Sequence, residues 1–180
     1  MIEHLMGSPH LLTYRRFKPK GCSMKQHIKS PEEKRLDIFV GRWNNTGHVM
    51  PGPFGPGGEI SGTTSYKWAL GDKWLQYTSR LELPGMGKYE VQGGVVYNNR
   101  TGKYDAYAVN NLGTLMVYEG EWLDETTLVF LLTYPTPAGR ARIVYRTLPN
   151  SSIQMNSDRL AKNGKFETYF ETEMVQEEKI

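Results

Sequence analysis

Phe166, Thr168, Phe170, Thr172 and Met174 alternate with Lys165, Glu167, Tyr169, Glu171 and Glu173, a two-residue rhythm that sets an apolar or hydroxylated face against a charged one. Successive side chains of a strand point to opposite faces of its sheet, so this segment reads as a half-buried strand with the first five residues inside. The same rhythm places Ile60, Gly62, Thr64, Tyr66 and Trp68 opposite Ser61, Thr63, Ser65 and Lys67. Nine turn signals punctuate the chain: Pro51 to Gly58, Gly71-Asp72, Pro84 to Gly87, Asn98 to Gly102, Asn110 to Gly113, Asp124-Glu125, Pro135 to Gly139, Pro149-Asn150 and Asn163-Gly164. Glycine, proline and asparagine supply the backbone geometries of tight turns, and nine turns separate ten strands. Strands joined by short turns pair with their sequence neighbours. The pattern therefore predicts an all-β, ten-stranded antiparallel up-and-down barrel, whose closure removes the sheet edges.

Ahead of the strands, Ser30-Pro31-Glu32-Glu33 has the form of a helix start: a serine cap, proline at the first position, and carboxylates near the positive end of the dipole. This single short helix should end near Val40 and Gly41. In strands three and four the alternation fits two phases, with either Leu75 and Tyr77 or Trp74 and Gln76 inward. Strands six and seven, Thr114 to Trp122 and Thr126 to Tyr134, are apolar on both faces. Their outer side is expected to meet the helix, the N-terminal segment or a second subunit in a homodimer.

The chain has 180 residues and 38% apolar content, which suits one domain with a sizeable core. Its net charge of +3 is unevenly placed. Met1 to Arg35 hold eight basic and three acidic residues, leaving 14 basic against 16 acidic, or −2, for the rest. Residues 1–29 thus read as a basic, loosely ordered extension, and residues 30–180 as the barrel domain. Leu11, Leu12, Tyr14 and Phe17 give the extension an alternative reading as a targeting or partner-binding segment, and Met24 an alternative start. A barrel with this balance offers no positive surface for a phosphate backbone, so no nucleic-acid partner is expected. The single cysteine, Cys22, cannot form an intrachain disulfide, which makes a reducing cytoplasm the default location. Lys20-Gly21-Cys22-Ser23 lacks the apolar approach of a lipoprotein signal. No apolar run has the ~18 residues of a membrane span or the form of a signal peptide.

Leu36-Asp37-Ile38-Phe39-Val40-Gly41-Arg42-Trp43 resembles the helix-to-first-strand junction of calycins, the superfamily of lipocalins and fatty-acid-binding proteins. Two later segments, Gly93-Gly94-Val95-Val96-Tyr97-Asn98-Asn99-Arg100-Thr101-Gly102-Lys103-Tyr104 and Val117-Tyr118-Glu119-Gly120-Glu121-Trp122-Leu123-Asp124, resemble one uncharacterised branch, the domain-of-unknown-function family numbered fifteen seventy-nine. The similarity covers Leu36 to Met174. It implies a ten-stranded calycin-like barrel with a helix near its base and an internal cavity, and it brings no settled substrate. In calycins the matching tryptophan packs across the closed end, so the resemblance makes Trp43 structural, and Gly41 permits the close chain approach of that junction. The related nitrobindins hold haem through a histidine of a late strand. The four histidines here, His4, His10, His27 and His48, all precede the second strand, and alternation from Trp43 turns His48 outward. Histidine-ligated haem is therefore disfavoured, although Tyr145 or Met155 could in principle substitute as a ligand, and neither a cofactor nor a metal is expected.

A barrel of eight or more strands has room for a small ligand, and hydroxyls scattered on an apolar wall orient such a guest. Tyr66, Trp68, Tyr77, Tyr89, Tyr145, Met155 and Phe170 are the expected wall. The predicted function is non-covalent binding of a small, largely apolar molecule. The alternative is a lyase or isomerase in which Asp105 or Glu119, the mid-strand carboxylates of ambiguous direction, moves a proton inside the barrel. Arg140, Arg142 and Arg146 share one face of the eighth strand. Inward they would form an anion-binding wall, but three unpaired buried guanidiniums are costly, so the outward face is favoured, with Tyr145 lining the interior. Pro51-Gly52-Pro53-Phe54-Gly55-Pro56-Gly57-Gly58 leads into a strand rather than a helix and so is no phosphate loop. It is read as an exposed loop, or as a lid with Phe54 at its tip.

Overall fold

The structure, a computed structural model, describes residues 27–52, 55–134 and 139–177. The chain enters through the helix α1 (Pro31–Arg35) and a 3-10 turn (Leu36–Phe39). Ten strands follow: β1 (Gly41–Val49), β2 (Gly58–Ala69), β3 (Trp74–Leu83), β4 (Gly87–Asn98), β5 (Lys103–Asn110), β6 (Leu115–Trp122), β7 (Thr127–Leu132), β8 (Ala141–Thr147), β9 (Ile153–Leu160) and β10 (Phe166–Gln176). Each pairs antiparallel with the next, and β1 pairs with β10 from Trp43 opposite Gln176 to Val49 opposite Phe170, closing the barrel. The meander and its closure are as the turn signals predict. Most of the N-terminal extension, together with Phe54, lies outside the described residues.

The base of the barrel is closed by the entry segment. Ser30 Oγ accepts from the backbone N–H of Glu33 at 3.1 Å, and the Glu33 carboxylate accepts from Ser30 N–H at 2.7 Å, so two otherwise unpaired donors are satisfied reciprocally. The helix is pinned across the barrel end on two sides. Tyr104 donates its hydroxyl to Glu32 O at 2.9 Å, and Arg35 stacks over the Trp122 ring at 4.2 Å. Trp43, only 2% exposed, donates its indole N–H to Phe39 O at 2.7 Å, which fixes the turn beneath β1. Gly41 adopts φ +135°, a conformation that side chains disfavour, and Gln176 fills the space beside it while donating to Val40 O.

In β3 the first of the two phases holds: Leu75 is 1% exposed and Tyr77 faces the interior, while Trp74 stacks outside on Tyr107 with ring centroids 6.0 Å apart. Two adjacent glycines of β4 make this possible, one for each face. A Cβ on Gly94 would run into the Trp74 indole outside, and one on Gly93 would lie 2.8 Å from the Tyr77 ring inside and still closer to the carbonyl of Tyr107. Backbone cannot step aside as a flexible side chain can. Gly93→Ala is therefore expected to destabilise the barrel by about 2 kcal/mol, seen as a lower urea midpoint with an unchanged m-value.

One feature departs from simple alternation. An extra residue, Tyr169, bulges between Thr168, which pairs with Asp158, and Phe170, which pairs with Ser157. The bulge reverses the phase of the strand. Phe170, Thr172 and Met174 face inward as expected, whereas Phe166 and Thr168 lie outside with Arg142 and Asp158. Arg142 also points outward, its Nε donating to Asp158 Oδ2 at 2.7 Å, and Arg140 and Arg146 are exposed. The outer side of β5 to β7 carries half-exposed Tyr107, Val109, Leu115 and Leu131, the apolar surface that the doubly apolar strands predict.

Candidate functional site

The barrel is filled in its lower half and hollow above. Leu36, Phe39, Leu75, Leu128 and Phe130 pack the base, leaving only a residual gap of about 20 Å³. On this plug rests an aromatic floor. Tyr66 lies 5.4 Å from Tyr77 and 5.5 Å from Phe39, and Tyr145 stands edge-on to Phe39 at 5.2 Å and to Phe130 at 6.2 Å. Such tilted and edge-on contacts suit the ring quadrupoles and lock the floor in place.

Above the floor opens a cavity of about 420 Å³, within the range of small-molecule sites. Much of its wall is apolar, with Leu81, Val91, Met116, Leu132, Ile143 and Met155, and Val49, Leu83, Met86 and Leu112 stand toward the loops at the opposite end from the helix. Six of the seven predicted wall residues line it: Tyr66, Tyr77, Tyr89, Tyr145, Met155 and Phe170. Trp68 does not. It is on the inner side of β2 but below the floor, where its indole donates to Asp37 Oδ1 at 2.6 Å under the Lys29 ammonium. Alternation decides the face of a strand residue, whereas its height relative to the plug depends on where the entry segment packs.

The wall also contains residues that the sequence reading did not single out. Asn45 lies two positions beyond Trp43 on the same face of β1, and Ser79 pairs across the sheet with Thr64, so both were open to the same alternation argument. Asn45 donates from Nδ2 to Thr64 Oγ1 at 2.7 Å, and Thr64 shares a hydrogen bond with Ser79 at 2.9 Å. Tyr118 and Tyr169 complete a set of six lining tyrosines, and Tyr169 arrives there only through the bulge. Burial pushes the hydroxyls of Tyr66 and Tyr77 well above the ordinary tyrosine range, with neighbouring tyrosines adding to the effect. Burial likewise raises Tyr118, Tyr145 and Tyr169, and it raises Tyr89 against an opposing hydrogen bond from Asn110. No described lining residue is acidic or basic, so the wall is electrically neutral across physiological pH.

The two carboxylates considered as proton movers lie outside this space. Asp105 is exposed on the outer face of β5 and accepts from Asn98 Nδ2 at 2.8 Å; Glu119 stands opposite it on β6 and forms an ion pair with Lys103. Buried Tyr104, Ala106 and Ala108 occupy the inner positions of β5, which forces Asp105 outward. His48 also lies on the outer face, 3.4 Å from Glu59. Among the described residues no three His, Cys, Asp or Glu side chains converge, and no helix is long and apolar enough to cross a membrane.

The family described as "Protein of unknown function (DUF1579)" matches residues 29–176. Among solved structures, the chain is similar to the crystal structure of Rv2717c from M. tuberculosis, with 14% identity and a TM-score of 0.63, over 84% of this chain and 100% of that one. This similarity shows the fold. A weaker similarity, with 10% identity and a TM-score of 0.42, links 79% of the chain to 96% of a de novo designed fluorescence-activating β-barrel. No curated protein matches the chain.

Proposed function

The chain belongs to the DUF1579 family of proteins of unknown function, and we propose that its barrel binds a small, largely apolar molecule non-covalently. The cavity of about 420 Å³ carries this reading, because its wall combines a broad apolar surface with a few polar groups and no charge. Tightly packed interiors leave few voids larger than a water molecule, and a hollow this large on a locked aromatic floor suits a guest. Transfer of the guest's apolar surface from water supplies the affinity, and the hydroxyls and amide set its orientation.

Displacement of an apolar fluorophore from the full chain tests the proposal. Ala108 is 2% exposed and faces the cavity, so Ala108→Phe should fill part of the space and weaken fluorophore binding at least about tenfold. Its neighbour Val109 is 44% exposed on the outer face, and Val109→Ser should leave binding unchanged. Circular dichroism confirms that both variants fold. Equal binding by wild type and folded Ala108→Phe, or no binding by either, would refute the reading.

A further inference from the structure

We propose that the guest is an uncharged alcohol, a hydrocarbon body whose hydroxyl sits against Asn45 and Thr172. This rests on the cavity being a binding site and adds the polarity and charge of its occupant. Both residues line the cavity and are almost fully buried, Asn45 at 3% and Thr172 at 1% exposure. With Asn45 Nδ2 engaged on Thr64, the carbonyl Oδ1 is left without a hydrogen-bond donor, and Thr172 Oγ1 also has no partner among the described residues. An unpaired polar atom in a protein interior is unfavourable, and natural interiors keep few.

The two groups are close to one another in the sheet. Asn45 pairs with Met174, and Thr172 pairs with Gly47, so they are diagonal neighbours on the inner face across the β1–β10 seam. Diagonal neighbours on one sheet face have Cβ atoms about 7–8 Å apart, and one small group entering between them meets both once the two side chains turn their covered oxygens toward it. A hydroxyl fits best. It donates to Asn45 Oδ1 and accepts from the Thr172 hydroxyl, whereas an ether can only accept and a carboxylate is acceptor-only when ionised.

Charge separates the candidates further. The described lining holds no lysine, arginine or histidine, and burial keeps the tyrosines of the floor protonated. A carboxylate would therefore enter without a counter-ion and lose its hydration, a penalty that an alcohol of the same chain length avoids.

Competition of decanol, decyl methyl ether and decanoate for the fluorophore site, at a pH where decanoate is ionised, tests the assignment. Decanol should bind about tenfold more tightly than the ether, the size of one well-placed buried hydrogen bond, and at least tenfold more tightly than decanoate. Asn45→Leu, which removes the acceptor that only the alcohol can use, should abolish the preference of alcohol over ether, whereas Thr172→Val, which keeps shape and removes a donor that both can use, should weaken decanol and the ether alike. Thr172→Val serves as the test if Asn45→Leu does not fold. Decanoate binding as well as decanol, a preference for the alcohol that survives Asn45→Leu, or a decanol affinity unchanged by Thr172→Val would overturn this inference while leaving the binding reading intact. Failure of all three compounds and of the fluorophore to bind would instead overturn the binding reading itself.

Discussion

Replacing Arg142 by alanine should lower the stability of the barrel by about 3 kcal/mol while leaving cavity binding untouched, because it strands a carboxylate that the fold has buried. Asp158 has a side-chain exposure of 6%, and two donors reach it on the outer face: Arg142 Nε at 2.7 Å and Thr168 Oγ1 at 2.8 Å. The guanidinium also lies 4.4 Å from the centre of the Phe166 ring, so its stem and head cover the acid. Without Arg142, the carboxylate keeps one hydroxyl for a full negative charge. A second change separates this cause from simple loss of packing. Adding Asp158→Ala to Arg142→Ala should restore part of the loss, since removing both members of a buried pair costs less than removing one. Urea unfolding of the two single variants and the double variant measures the coupling, and an additive cycle would show that the pair contributes nothing beyond its separate contacts. Arg142→Lys should fall between wild type and alanine, because a point charge lacks the directional fork of the guanidinium.

The arginine face and the acid beneath it illustrate what this sequence reveals and what it withholds. Ser30-Pro31-Glu32-Glu33 announces the helix because capping chemistry is contained within four residues, and the glycine and proline turns separate the strands for the same local reason. The outward direction of Arg142 follows from the burial cost of guanidinium. Its pairing with Asp158 does not, since that contact depends on the register between β8 and β9. Register also governs the Tyr169 bulge, because an extra residue is defined only against the partner strand. A strict two-residue count therefore turns Phe166 and Thr168 inward and hides Tyr169. For Trp68 the same count gives the correct face but the wrong height, and Asp105 becomes legible once Tyr104, Ala106 and Ala108 are seen to be buried. Of the cavity, the aromatic floor could be read from the strands that carry it, and alternation gives the faces of Asn45, Thr64 and Ser79, but their hydrogen-bonded row needed the alignment of three strands at once.

The same tyrosine floor should make the protein fail sharply in alkali. A tyrosine in the unfolded chain loses its proton near pH 10, while burial holds Tyr66, Tyr77 and Tyr145 protonated above that point. Their contribution is therefore fully present below pH 10 and is lost as the pH rises above it, where the unfolded chain binds fewer protons than the folded one. Each such tyrosine removes about 1.4 kcal/mol per pH unit between its unfolded and its folded pKa, and where the three intervals overlap the losses add. The barrel should unfold in alkali once these losses consume its total stability of about 5–15 kcal/mol, earlier if Tyr118 and Tyr169 act in the same way. The urea midpoint should stay level with respect to these groups up to about pH 9 and then drop steeply. In tyrosinate absorbance the signal of the buried set should appear only together with loss of the β-sheet signal. Tyr145→Phe should shallow the decline by about one proton, whatever it does to stability at neutral pH. A smooth titration of all 11 tyrosines without unfolding would mean that solvent already reaches the floor. Because none of the lining groups titrates below that onset, affinity for an uncharged guest should be flat from about pH 6 to 9, whereas an ionisable guest would bind only in its neutral form.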